Sequence, residues 1–186
     1  MDRRDFLAAG IAGTAAAILA SAPSNAQSSK AIIKPERLKK GDTVMIVAPA
    51  GVEYRKMRLK LSVESLEALG LKVKVAENAL GRFGYFPAED EARAAEVNQA
   101  FADNEVKAVI ALKGGWGAAR TLPYIDFDLI EKNPKILLGY SDITALLNPI
   151  FDKTGLVTFH GPIAGDSWNK FTTQNVKEIL FDGAAQ

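Results

Sequence analysis

Short runs of apolar residues recur along the chain between residues 43 and 162. The continuous runs are TVMIVAPA (43–50), KAVIAL (107–112) and KILLG (135–139). Their unbroken apolar character, with many β-branched residues, is typical of strands that are buried on both faces of a sheet. LKVKVA (71–76) alternates in character and LVTFHGP (156–162) is mixed, and both also predict strands.

Segments with helical periodicity lie between these runs. The pattern predicts helices over 55–70, 87–103, 126–134, 142–155 and 172–183. Strands that alternate with helices predict an α/β fold, a doubly wound and mostly parallel sheet with helices on both faces. Ligands of such sheets bind outside the carboxyl ends of the strands. This rule selects the loops PAGVEY, NALGRFGYF, KGGWGAAR and GYSD as candidates for a site.

The amino-acid composition argues against several classes of function. The 186 residues include 23 Lys and Arg against 22 Asp and Glu, a net charge of +1, without a basic block, so nucleic acid is not a favoured partner. The chain has no cysteine, which excludes a thiolate metal site, and a single histidine, His160. We expect neither a metal nor another cofactor.

The first 26 residues are typical of an export signal. Arg3 and Arg4 precede an Ala/Gly-rich apolar stretch, and small residues suit cleavage after Ala26. The stretch is shorter than the roughly 20 residues that a membrane-spanning helix needs, so we expect no stable membrane span. The prediction is a twin-arginine signal at 1–26, a lead-in at 27–42 and one domain at 43–186, in a periplasmic protein. The alternative is an ordinary secretory signal or an uncleaved anchor.

Ser141 follows the strand 135–139 and precedes a predicted helix. The order strand, Gly139, Tyr140, Ser141 and helix is the layout of a nucleophile elbow, whose sharp turn exposes a serine hydroxyl. The match is partial, because Ile143 stands where the elbow pattern has glycine. On local sequence alone, a serine that caps the helix explains the pattern at least as well.

The glycines of KGGWGAAR have two interpretations. As a dinucleotide-binding motif the segment is weak, because it follows the third strand and ends in Arg120. As a turn with exposed amides beside the elbow, it is well placed to donate to an oxyanion. His160 is either the base of a Ser-His pair or a structural histidine.

Several segments together resemble the LD-carboxypeptidase family of serine peptidases, which includes the microcin-immunity peptidases. The matching stretches run from about residue 37 to 165 and include GDTVMIVAPAG, GRFGYFPAEDEARAAEVNQAFAD, VKAVIALKGGWGAARTLPYIDFDLI, NPKILLGYSDITALL and TFHGP. The resemblance implies that Ser141 is the nucleophile and that the amides of Gly115 and Asp142 form the oxyanion hole. It also implies hydrolysis of the bond to a terminal D-alanine in murein tetrapeptides, without a metal.

The sequence departs from the family in one major respect. Family members carry the Glu and His of the triad in a C-terminal domain, and no histidine follows His160, which does not match the triad histidine by position. Lys113 also stands where arginine is usual. We therefore expect a truncated peptidase that lacks base and orienting acid. The alternative is a non-catalytic module that binds murein peptides or another chain. An apolar patch left at the carboxyl end of the sheet would favour a homodimer.

Overall fold

The computed structural model describes residues 30–183; the predicted signal at 1–26 and the start of the lead-in lie outside these residues. The strands are β1 (Thr43–Val47), β2 (Lys72–Val75), β3 (Val106–Ala111), β4 (Ile136–Gly139) and β5 (Phe159–His160). The α-helices are α1 (Lys56–Glu67), α2 (Asp90–Ala102), α3 (Phe127–Lys132), α4 (Thr144–Thr154) and α5 (Lys170–Val176). Short 3₁₀ turns span Glu77–Leu80, Ala118–Tyr124 and Ser141–Ile143, and a π-helical turn, Lys177–Asp182, continues α5.

The five strands form one parallel sheet in the order β2-β1-β3-β4-β5. The chain runs from β1 to the edge strand β2 and then crosses to the other side of β1, so the strand order reverses between β1 and β3. Ligands bind at such a reversal in open α/β sheets. The predicted α/β fold is confirmed, and the carboxyl ends of β1, β3 and β4 lie side by side.

Each face of the sheet has its own apolar core. Met45 and Val47 of β1 pack with residues of α2, α3 and α4, whereas Val44 and Ile46 pack with residues of α1 and α5. This alternation along one strand follows from the two-residue period of side chains in a sheet. Helices therefore cover both faces, as the sequence predicted. Among residues 30–183, no helix combines the length and the apolar character that crossing a membrane requires.

Two predicted elements at the end of the chain are shorter than expected or shifted. The strand predicted over 156–162 is reduced to Phe159–His160, because Leu156 forms an isolated bridge with Ile33 instead of pairing with β4. The last helix begins at Lys170, and its N-cap is Asn169, whose side chain accepts a hydrogen bond from the amide of Thr172. The helix predicted over 172–183 therefore starts earlier and ends as a π-helical turn.

Candidate active site

The loops that follow β1, β2 and β3 contact one another at the carboxyl edge of the sheet. The amide of Gly51 donates to the carbonyl of Gly114 at 3.1 Å, and the amide of Val52 donates to the carbonyl of Tyr85 at 3.1 Å. Nζ of Lys113 donates to the carbonyl of Val52 at 2.8 Å. The prediction that these loops gather at one end of the sheet is confirmed.

Ser141 stands at the turn from β4 into the next helix, where it is exposed. Its φ of 62° is the only positive φ of a non-glycine residue in the part of the chain that the structure describes. Holding an L-residue there costs about 1–2 kcal/mol, and such strain concentrates at functional sites. Gly139 is required nearby, because a Cβ at that position would lie 2.8 Å from Cγ2 of Ile143. Residues 139–142, which we call the elbow, thus have the strained turn that lifts a serine hydroxyl above a sheet.

The hydroxyl of Ser141 does not cap a helix. The cap positions of the 3₁₀ turn and of α4 are occupied by Tyr140 and Ile143, and neither makes a side-chain cap hydrogen bond. Within residues 30–183, no hydrogen bond involves the Ser141 hydroxyl. The alternative offered by local sequence is therefore wrong, and the hydroxyl is unengaged at the sheet edge.

The loop after β3, residues 113–120, which we call the glycine loop, closely approaches the elbow. A Cβ on Gly114 would lie 3.1 Å from Cβ and 3.2 Å from Oγ of Ser141. Gly115 has a φ of 123°, in a region that favours glycine. Among the described residues, the amides of Gly115 and Asp142 donate no hydrogen bond. Both amides are available to an incoming oxygen, as an oxyanion site requires.

The side chain of Asp142 connects the elbow to the glycine loop. Its Oδ2 accepts a hydrogen bond from the amide of Ala118 at 2.8 Å. Hydrogen bonds to a carboxylate are about twice as strong as those between neutral groups. The sequence assigned only the backbone amide of Asp142 to the site, and the structure adds this positioning contact of its carboxylate.

Arg93, a fully buried residue of α2, was not among the residues that the sequence predicted for the site. Its guanidinium donates hydrogen bonds to the carbonyl of Pro49, after β1, and to the carbonyl of Gly117, in the glycine loop. A signal for its burial was present in the sequence, since Arg93 lies four and seven residues before the apolar Val97 and Ala100. These spacings place it on the buried face of the helix.

Two acidic residues near these loops are held in the charged form. Hydrogen bonds from Arg120 and Arg93 outweigh burial and keep the pKa of Asp90 below its usual value. Burial alone would raise the pKa of Glu53, but hydrogen bonds from Arg55 and the nearby charge of Arg58 lower it overall. Carboxylates with a lowered pKa are poor general acids at neutral pH. Over residues 30–183, no cluster of three or more acidic or histidine side chains is arranged to hold a metal.

Three aromatic rings border the glycine loop. The rings of Tyr85 and Phe86 have centroids 5.2 and 5.1 Å from that of Trp116. Phe86 is the inner ring, with the guanidinium of Arg93 4.4 Å from its centroid. Trp116 is 53% exposed and Tyr85 44% exposed. One ring therefore packs the loops, while the other two form an exposed apolar wall.

His160 lies on the other side of the elbow, at the exposed end of β5. Its ring is 6.2 Å from that of Tyr140, and the Tyr140 hydroxyl donates to Oδ1 of Asp166 at 3.3 Å. The nearby charge of Asp166 raises the pKa of Tyr140. A cavity of about 530 Å³ lies between β5 and α5, and its lining includes Tyr140, His160 and Asp166. No hydrogen bond in the described part of the chain joins His160 to Ser141, so the structure does not assemble a Ser-His pair.

Comparison with known proteins agrees with this architecture. The family model described as LD-carboxypeptidase N-terminal domain matches residues 44–161. A protein of Bacillus subtilis (strain 168) named "Probable murein peptide carboxypeptidase" is 48% identical over 130 residues, which cover 70% of this chain and 40% of that protein.

Solved structures give the same result. An MccF-like protein from Bacillus anthracis superposes with a TM-score of 0.76 at 34% identity, over 80% of this chain and 47% of that one. A muramoyltetrapeptide carboxypeptidase from Oxalobacter formigenes gives a TM-score of 0.67 at 30% identity, over 73% of this chain and 47% of that one. The chain thus spans less than half the length of these relatives.

Proposed function

The chain belongs to the LD-carboxypeptidase family, and on that premise we propose that it carries the nucleophile of a serine peptidase that releases the terminal D-alanine of murein tetrapeptides. The names of its relatives support murein peptides as the class of substrate. The proposal assigns Ser141 as the nucleophile and the amides of Gly115 and Asp142 as the oxyanion donors.

The observation that carries the proposal is the conformation of Ser141. Ser141 has a positive φ, and the main chain of the glycine loop lies against its side chain. Such a conformation lowers the stability of the fold. A helix cap or a packed serine needs neither feature. An exposed hydroxyl that must reach a substrate needs both.

The proposed chemistry is acyl transfer. Oγ of Ser141 attacks the carbonyl carbon of the scissile bond while a general base takes its proton. The carbonyl oxygen becomes negative and accepts hydrogen bonds from the amides of Gly115 and Asp142. The C–N bond breaks, D-alanine leaves with a proton, and water hydrolyses the acyl-serine. Removing one oxyanion donor from such a site typically costs about 10²–10³ in kcat.

The general base is the part that residues 30–183 do not supply to Ser141. No hydrogen bond reaches its hydroxyl within them, and His160 lies beside Tyr140 instead. The family resemblance implies that the base and its orienting acid come from a C-terminal domain. Without a base, the rate is expected to fall by several orders of magnitude, on the order of 10⁶-fold for comparable triads.

A fluorophosphonate probe tests the proposal. We expect weak or no labelling of the chain alone, and labelling at Ser141 when the C-terminal domain of a relative is added. Ser141→Ala is the control and should remain unlabelled in both mixtures. Release of D-alanine from a murein tetrapeptide by the same mixture should follow the labelling. Absence of both signals after a C-terminal domain is bound would favour a non-catalytic module that binds murein peptides.

We also propose that the protein is exported to the periplasm by the twin-arginine route, which would deliver it to murein. The support is the paired Arg3 and Arg4 before a short apolar stretch. Fusion of residues 1–29 to a reporter that folds before export is expected to reach the periplasm. Replacing both arginines by lysine should abolish that export. Continued export of the lysine variant would favour an ordinary secretory signal.

A further inference from the structure

Arg93 is the largest charged side chain that is fully buried in the described part of the chain. Burying a guanidinium removes it from water at a substantial cost, which hydrogen bonds and a counter-ion must offset. Burial accordingly lowers the pKa of Arg93, although Asp90 opposes that shift. A residue kept in such a place needs a reason beyond the packing of α2, which an apolar side chain would serve as well.

The partners of Arg93 come from three different loops at the sheet edge. Nη1 donates to the carbonyl of Pro49 and, at 3.3 Å, to that of Gly117, while Nε donates to the carbonyl of Ala88 at 3.2 Å. Nη2 pairs with Asp90 one turn away in α2. The planar guanidinium can serve these acceptors together because its five N–H donors point in fixed directions.

One of these contacts reaches the site directly. The carbonyl of Gly117 and the amide of Ala118 belong to the same peptide unit. Arg93 and the backbone amide of Arg120, at 3.1 Å, both donate to the carbonyl end of this unit, and Arg93 is the partner that links it to the loop after β1. The carboxylate of Asp142 accepts a hydrogen bond from the amide end at 2.8 Å. A planar peptide unit fixed at both ends cannot rotate, so its orientation is set relative to the elbow.

We infer that Arg93 is the positioning residue of the oxyanion site, because it fixes the Gly117–Ala118 peptide unit and with it the direction in which Gly115 presents its amide to Ser141. The inference rests on the proposed role of Gly115. It assigns no contact with substrate to Arg93, which is shielded by Phe86. Lysine cannot replace it, because one ammonium group lacks the fork that spans Pro49 and Gly117.

Amide hydrogen exchange, measured by NMR on the full chain, tests this inference. The readout is the exchange rate at Ala118 divided by that at Val109, a buried residue of β3 that reports general stability. Arg93→Lys is expected to raise this ratio about tenfold or more, since the carbonyl of Gly117 loses its link to the buried side chain and keeps only the local hydrogen bond from the amide of Arg120. The matched control is Arg120→Lys, because the side chain of Arg120 shares the carboxylate of Asp90 but is exposed and donates to no loop carbonyl, and the substitution leaves the backbone amide of Arg120 on the carbonyl of Gly117 in place. The control should stay within about twofold of the unaltered chain.

The possible results distinguish a positioning role of Arg93 from a contribution to overall stability, and both from the proposed reaction of Ser141. A ratio that is unchanged in Arg93→Lys, even if both amides exchange faster, would mean that Arg93 only stabilises the domain, and would overturn the inference. Equal increases in both variants would overturn it too, since they would trace the effect to Asp90. Hydrogen exchange at Ala118 requires no catalytic reaction. Failure of the proposed function would instead appear as Ser141 left unlabelled in the unaltered chain even after the C-terminal domain of a relative has been added.

Discussion

The strain at Ser141 predicts an unusual order of stability among its variants. Ser141→Gly removes the Cβ that makes a φ of 62° unfavourable, which relieves about 1–2 kcal/mol. Glycine also gains freedom in the unfolded chain, which costs roughly 0.5–1 kcal/mol. Ser141→Ala keeps the Cβ and the strain. The glycine variant should therefore be at least as stable as the alanine variant, and more stable by up to about 1.5 kcal/mol.

Ser65 provides a matched control, because it lies in α1 with ordinary helical geometry. There the order should reverse, with alanine more stable than glycine by about 1 kcal/mol. Urea unfolding followed by circular dichroism measures all four variants, and the pairs share the same change in composition. If Ser141→Gly is less stable than Ser141→Ala, as at Ser65, the elbow is not strained and the main support for a nucleophile is lost.

Other contacts predict further measurable effects. Burial raises the pKa of Glu96 in the folded protein. The protonated carboxyl therefore contributes to the free energy of unfolding below a pH of about 4.5, and this contribution is lost as the pH rises through the higher pKa of the folded state. The stability of Glu96→Gln relative to the unaltered chain should therefore increase between about pH 4 and about pH 7 in urea titrations, and a constant difference would contradict this. Asp142→Ala should lose about 1–2 kcal/mol of unfolding free energy and Asp142→Asn less, because asparagine retains an acceptor for the Ala118 amide; equal losses would exclude the hydrogen bond as the cause. The exposed Tyr85 and Trp116 predict concentration-dependent self-association in light scattering, which a strictly monomeric chain would refute.

The central strands could be predicted because their burial gives them an almost entirely apolar sequence. β1, β3 and β4 are buried on both faces, and such strands read as unbroken apolar runs. The edge strand β5 could not be delimited in the same way. Leu156 and Phe159 are similar in kind, but one bridges Ile33 and the other pairs with β4, and this choice depends on a segment far away in the chain.

The candidate site divides in a similar manner. Ser141 and the glycine loop were found because glycines and a serine at strand ends leave a local pattern. The backbone conformation of Ser141, which distinguishes an elbow from a helix cap, could not be predicted, because both structures have a serine between a strand and a helix. Arg93 was missed because an arginine in a helix is usually exposed, and only its register with Val97 indicated burial.

The parallel order of the sheet also dictates when the site can form during synthesis. Gly51 and Gly114 lie in the loops that follow β1 and β3, which can pair once the chain has grown past Ala111, whereas Ser141 follows β4, which docks beside β3 later. Contacts between distant segments form slowly, and β4 follows β3 during synthesis. A ribosome-bound chain that ends before Gly139 therefore has every residue of the glycine loop and no elbow, so the proposed site is complete only when β4 has joined the sheet.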